Sequence, residues 1–240
     1  MEPKFQIIGD IILIKDAKYK DSAGELLRFH PRCRSVVFYR GIHGQFRRPD
    51  AELIAGETTE TVHKENGCLF KLDIRKVMFC PGNLAERMRM SRVGTDEVVV
   101  DMFAGVGYFS IPIAVHSSPK RVLSIEKNKV AYDYLRENIK LNKVSTIEPI
   151  LGDCAEKTPE GIADRVIMGY LDAHPYLRYG VRALKKGGLL HYHEAVPEAV
   201  MGRPVERLKE VAPDAEILAF RKIKKYAPGV WHTVVDAKIP

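Results

Sequence analysis

The stretch "DMFAGVGYFS" carries the first chemical signal in this chain: Asp101, then Gly105 and Gly107, then Tyr108. The two glycines let a backbone pass close to a ligand with no Cβ in the way. Glu126 follows about 20 residues on, where a ribose-binding carboxylate belongs, and Asp153 ends a later strand-like run. A dinucleotide would present a pyrophosphate and call for a third glycine. Ser110 stands there instead, and Asp101 would repel a phosphate. S-adenosylmethionine has no phosphate. Its ammonium, sulfonium and adenine amino group are all favoured near carboxylates. The expectation is therefore an adenosylmethionine site, with Glu126 on the ribose hydroxyls, Asp153 on the adenine amino group and Cys154 as the next backbone N–H. Solvated acids at strand ends are the plainer alternative.

Other residues have chemistry with less direction. "DRVIMGYLDA" reads as a buried strand ending at Gly169-Tyr170, so the strand end offers no side chain at Gly169 to bind or polarise anything. His191 and His193 alternate on a strand and share one face. They are candidates for lining an acceptor pocket or deprotonating the acceptor; a polar strand edge with satisfied imidazoles is the alternative. Tyr108 is a candidate for stacking on adenine or on a flipped base, against ordinary packing. Cys33, Cys68, Cys80 and Cys154 show no paired C-x-x-C spacing, so no metal is expected. Arg40, Arg47, Arg48, Lys222, Lys224 and Lys225 lie in three basic clusters that, as a set, could track nucleic-acid phosphates.

The elements that must position these groups change character near residue 80. Before it, "FQIIGDIILIK", "SVVFYR" and "LFKLDIRKVMF" read as strands of a small α+β unit with antiparallel pairing, residues 1–78. From 79 to 240, strand and helix patterns alternate, which signals an α/β, doubly wound, Rossmann-like domain; joined to the adenosylmethionine site expected above, that is the class I methyltransferase type. Its strands are "EVVVDMFA", "RVLSIE", "IEPILGD", "DRVIMG" and "LLHYHEAV". A helix around "HPYLRYGVRALKK" is expected to end on a glycine cap at Gly187-Gly188. "AEILAFRKIKKY" and "GVWHTVVDAKI" are separated by a tight turn and read as an antiparallel hairpin.

Composition bounds the rest. The 240 residues, 45% hydrophobic and 29% charged, can bury one large core plus a small accessory one. The longest apolar stretch, 98–115, is interrupted by Asp101, two glycines and a proline, so no membrane span is expected. The first residues lack a basic segment followed by an apolar one, and a cytoplasmic location follows by default. A net charge of +7 favours an anionic partner, of which nucleic acid is the commonest.

The runs "GQFRRPDAELIAGE", "TETVHKENGCLFKLDIRKVMF", "ERMRM" and "DMFAGVGYFSIPIA" resemble two sibling tRNA-modifying families, over roughly residues 36–238. One is the tRNA guanine-N1 methyltransferase that acts beside the anticodon. The other is the archaeal-type wybutosine-pathway aminocarboxypropyltransferase. The methyltransferase carries Asn-x-Pro where this chain has Gly169-Tyr170, and an arginine where it has Gly82; the tail "HYHEAVPEAVMGRP" and "KIKKYAPGVWH" is similar to the aminocarboxypropyltransferase. The resemblance implies transfer of the 3-amino-3-carboxypropyl group of S-adenosylmethionine to C7 of 4-demethylwyosine in phenylalanine tRNA, with methylthioadenosine released. It also places Cys80 and Arg87 near the cofactor, with Arg87 a candidate clamp for the methionine carboxylate, and puts Tyr170 beside the acceptor. A surface ion pair is the alternative for Arg87. The rivals are guanine-N1 methylation at the same position and a non-catalytic tRNA-binding protein.

Overall fold

The computed structural model describes residues 4–240. The first three residues, part of the segment read for a leader, lie outside them. The chain divides into two compact units, the first ending at Pro81 and the second running from Gly82 to Pro240. No helix among the described residues is long and apolar enough to cross a membrane.

The first unit contains β1 (Phe5–Ile8), β2 (Ile11–Ile14), α1 (Ala23–Phe29), β3 (Ser35–His43), β4 (Arg48–Ala55), β5 (Glu60–Glu65) and β6 (Cys68–Asp73). The run "FQIIGDIILIK" is two strands: Gly9, at φ +58°, turns β1 back on β2. The sheet order is β1-β2-β3-β4, with β5 and β6 forming a separate pair. Pairing is not uniformly antiparallel as the sequence suggested. β2 and β3 are parallel, because α1 lies between them and supplies the crossover a parallel pair requires.

The second unit opens with α2 (Leu84–Met90). It continues through β7 (Val98–Asp101), α3 (Ser110–His116), β8 (Arg121–Glu126), α4 (Lys129–Leu141), β9 (Ile147–Leu151), α5 (Cys154–Lys157) and β10 (Ala163–Met168). It closes with α6 (Leu177–Ala183), β11 (Leu184–Pro197), α7 (Arg203–Val211), β12 (Glu216–Ala227) and β13 (Val230–Lys238). The seven-stranded order is β12-β13-β11-β10-β7-β8-β9. β9 through β11 are parallel, while β13 and β12 add antiparallel. Val99, Val100, Val122, Val166 and Ile167 are fully buried, as central parallel strands covered on both faces require.

From β7 the chain winds outward to β9 and then returns to β10 on the other side of β7. That reversal opens a crevice at the carboxyl ends of β7 and β10, where open α/β sheets bind ligands. The expected glycine cap at Gly187-Gly188 is not there. α6 ends at Ala183, Leu184 is already extended, and both glycines lie within β11. They serve a strand irregularity: β10 pairs Ala163 with Leu184, then Arg165 with Leu189. A Cβ on Gly188 would stand 2.8 Å from Leu184 Cδ2.

Candidate functional site at the sheet's carboxyl edge

The strand order brings Asp101, Glu126 and Asp153 to the same edge of the sheet, each with a different environment. Glu126 closes β8 and is oriented by the backbone: Gly105 N–H donates to its Oε2 at 2.7 Å and Asn128 N–H to its Oε1 at 2.6 Å. The carboxylate's remaining lone-pair capacity can take a ligand hydroxyl. Burial raises the Glu126 pKa, partly offset by those N–H groups. Asp153 caps α5, accepting from Ala155 N–H at 2.9 Å and from Lys127 Nζ at 2.7 Å. The Lys127 hydrogen bond holds its pKa below the usual value. Cys154 is buried, and burial pushes its thiol up to about 12, so it acts as a small apolar group.

Asp101 is more deeply placed than its sequence position implied. It is fully buried, and burial pushes its carboxyl up to about 6. Ser110 Oγ donates to its Oδ2 at 2.7 Å, Ser124 Oγ donates to Ser110 Oγ at 2.7 Å, and Phe103 N–H approaches Oδ1 at 3.4 Å. Ser110, noted in the sequence only for not being glycine, thus ties β7 to β8 beneath the loop.

The two loop glycines answer to the protein itself before any ligand. A Cβ on Gly105, at φ +58°, would lie 2.2 Å from the Tyr108 ring, and one on Gly107, at φ +105°, 2.5 Å from Ile111 Cγ1. Tyr108 therefore folds over Gly105. On the facing strand, a Cβ on Gly169 would stand 2.6 Å from Cε2 of Phe109. The place left empty at the end of β10 is occupied by a ring from the loop after β7. Beside it, Phe103 lies 5.3 Å from the Tyr170 ring and 5.4 Å from the Tyr176 ring, so three aromatic residues gather at the crevice. Phe103, Phe109 and Tyr176 were missed in the sequence; only the loop and strand-end positions of the first two could have flagged them.

His191 and His193 do share one face, but that face is interior. Arg165 Nη1 lies 2.5 Å from His191 Nε2, and His191 Nδ1 lies 2.6 Å from Asp236 Oδ1. Because arginine can only donate, Nε2 accepts and Nδ1–H donates, so His191 is neutral with both nitrogens engaged. Burial lowers its pKa. His193 is fully buried, with Nδ1 2.9 Å from His232 Nε2 and its ring 5.3 Å from Phe109. Burial pushes its pKa down to about 3. Both candidates thus lie in the interior rather than open to the crevice, within a network of buried polar side chains. Arg89 extends it, bonding Glu86 at 2.6 Å and Asp236 at 2.9 Å.

Arg87 on α2 is 2% exposed, so a helix-surface ion pair is not its environment. Cys80 is half-buried at the end of the first unit. In that unit Arg40 is already matched by Asp50 at 3.0 Å and Glu52 at 2.9 Å. Arg47, at φ +49°, donates to Met78 Sδ at 3.4 Å, and Arg48 lies over the Phe46 ring at 5.8 Å. In the second unit Lys222, Lys224 and Lys225 line β12, an edge strand. The acidic set at the ends of β8 and β9 suits hydroxyl and amino donors and disfavours a pyrophosphate, which is the chemistry an adenosylmethionine site requires.

A family model described as the TRM5/TYW2 methyltransferase domain matches residues 61–218, and one described as the TYW2 N-terminal domain matches residues 1–59. The chain is 49% identical to the tRNA(Phe) (4-demethylwyosine(37)-C(7)) aminocarboxypropyltransferase of Methanocaldococcus jannaschii, over 98% of this chain and 97% of that one. It is 38% identical to the tRNA (guanine(37)-N(1))-methyltransferase Trm5b of Pyrococcus abyssi, over 98% of this chain and 74% of that one. Among solved structures, that of M. jannaschii TYW2 in complex with AdoMet matches with a TM-score of 0.81 and 45% identity, covering 98% of both chains.

Proposed function

The chain belongs to the TRM5/TYW2 methyltransferase family, and within it we propose that it is the aminocarboxypropyltransferase that modifies C7 of 4-demethylwyosine beside the anticodon of phenylalanine tRNA. The near full-length likeness to the M. jannaschii aminocarboxypropyltransferase carries this reading. S-adenosylmethionine is the group donor. When bound, it supplies a sulfonium. The acceptor C7 would bond to the γ-carbon of the methionine chain, that carbon's bond to sulfur would break with the electron pair staying on sulfur so that methylthioadenosine leaves, and the C7 proton would pass to water.

Around that step the chain's own residues position the reactants. Glu126, held by the Gly105 and Asn128 N–H groups, takes the ribose hydroxyls, and Asp153 with the Cys154 N–H takes the adenine edge. Arg87, buried on α2, is the clamp for the methionine carboxylate in this reading. Phe103, Tyr170 and Tyr176 offer aromatic faces to the tricyclic base, and Tyr108 covers the glycine loop. The absence of a polar side chain at 169 argues against guanine-N1 methylation, which needs a hydrogen-bonding group aligned at the ring nitrogen. The intact acidic set argues against a vestigial cofactor fold. A tRNA substrate implies a cytoplasmic setting.

The test uses precursor tRNA with adenosylmethionine labelled separately in its methyl and carboxyl groups. Carboxyl label retained on the digested nucleoside supports the reading; methyl label alone installs the methyltransferase.

A further inference from the structure

β11 outruns the strand it pairs with. Its register with β10 ends at Met168–Tyr192, yet it continues to Pro197, five residues or about 16 Å beyond. β13 stays paired along this extension, Pro197 opposite Val230, and β12 pairs β13 to the same tip, Ala227 opposite Val230. A three-stranded arm therefore continues past the last β10 pair on the side where the crevice opens, its inner strand covered by the bond from Ala195 N–H to Leu171 O and its outer strand β12 largely exposed.

The chemistry of that arm is specific. Lys222, Lys224 and Lys225 lie along the outer strand, and from Phe220 to its end β12 carries no acidic residue. A strand irregularity between Lys222 and Lys224 brings Lys222 and Lys225 onto the face of Trp231. Their Nζ atoms lie 5.2 Å and 5.7 Å from the Trp231 ring centre. Trp231 Nε1–H donates to Glu198 Oε1 at 2.7 Å, which fixes the ring's orientation. Tyr226 adds a second ring, 44% exposed. Among the described residues β12 is the outermost strand, with no further strand beside it.

An oriented indole with two ammonium groups over its ring, on a basic edge strand, is the composition that binds single-stranded nucleic acid: bases stack on the ring and phosphates meet the lysines. We propose that this arm grips the RNA nucleotides flanking the acceptor base, with Trp231 as a stacking platform and Lys222 and Lys225 as phosphate contacts. The proposal rests on the reading of the chain as a tRNA-modifying enzyme and says which surface holds the RNA. A second copy of the chain is a poorer occupant, because edge-to-edge pairing of β12 with itself brings lysine against lysine.

The test compares the full chain with Lys222→Gln/Lys225→Gln, Trp231→Ala and Trp231→Phe. It measures filter binding of precursor tRNA(Phe), KM and kcat for that tRNA, and calorimetric affinity for adenosylmethionine. The double lysine variant should bind tRNA about 10-fold more weakly, with the log–log salt slope reduced by about 1.4, two single-strand phosphate contacts at about 0.7 each. Trp231→Ala should weaken tRNA binding by roughly 5- to 150-fold, and Trp231→Phe should recover most of it. Adenosylmethionine affinity should be unchanged in all three. Unchanged tRNA affinity and salt slope overturn the proposal. So does a Trp231→Phe variant as poor as Trp231→Ala, or self-association of the wild type that the lysine changes abolish. If the wild type transfers nothing to precursor tRNA, the parent reading fails, while the binding arm still decides whether this surface holds RNA.

Discussion

Gly169 and Phe109 share one space: the Cβ that any other residue would bring to position 169 falls 2.6 Å from the Phe109 ring. The ring is itself held, 5% exposed and against His193 in the interior. The end of β10 is thus closed at position 169 by an apolar ring and offers no side chain there, at the crevice where strand order reverses. A ring nitrogen finds no side chain at 169 to align it, which fits the carbon acceptor proposed above.

Replacing Gly169 by Asn and Leu171 by Pro, the pattern of the methylating sibling, should therefore crowd Phe109 rather than create a methylation site. Overpacking of this kind costs about 1–3 kcal/mol. Denaturant unfolding should show that loss, and methylthioadenosine should remain the by-product. Unchanged stability would mean the ring yields freely.

Glu126→Ala should weaken adenosylmethionine binding by about 1.5–3 kcal/mol, the range for hydrogen bonds to a charged group. The same substitution frees the Gly105 N–H, which now donates to Glu126 at 2.7 Å. Calorimetry on the folded variant decides. Full affinity would remove Glu126 from the site.

Asp101 links stability to pH. Its folded pKa of about 6 lies above the ordinary 3.8, so its contribution to stability is full below about pH 4 and is lost as pH rises through about 6. The loss amounts to about 3 kcal/mol. Asp101→Asn removes the ionisation, so the variant should gain on the wild type steadily between pH 4 and pH 7 in denaturant titrations. A constant difference across that window would show that Asp101 does not titrate there.

His193 should stay neutral from pH 5 to pH 8, since burial holds its pKa near 3. Imidazole NMR shifts followed across that range should be flat for His193. A midpoint near 6.5 would restore it as a base candidate.

Much of this site was legible in the sequence because strand ends and glycine loops announce themselves locally. Asp101, Glu126 and Asp153 could be placed from apolar runs that stop at an acid. What those acids face could not be read the same way. Whether Asp101 meets a ligand or Ser110 depends on how far the loop folds back, which is a tertiary matter. His191 and His193 were placed on one shared face, yet nothing local says that this face is interior. Gly187-Gly188 looked like a helix stop because glycine serves caps and strand irregularities alike, and only the pairing of β10 with β11 separates the two. Gly169 was noticed for what it lacks. That Phe109 fills the space needed two segments about 60 residues apart to be brought together.

The account's central claim is which carbon of the sulfonium is attacked, and the leaving group reports it directly. The protein should be incubated with adenosylmethionine and either precursor tRNA(Phe) bearing 4-demethylwyosine or tRNA with plain guanine beside the anticodon. The small-molecule products are then separated by chromatography and identified by mass. Methylthioadenosine should appear with the tricyclic precursor only, together with a tRNA nucleoside carrying the aminocarboxypropyl group. Adenosylhomocysteine as the dominant product with either tRNA would contradict the account and make the chain a methyltransferase.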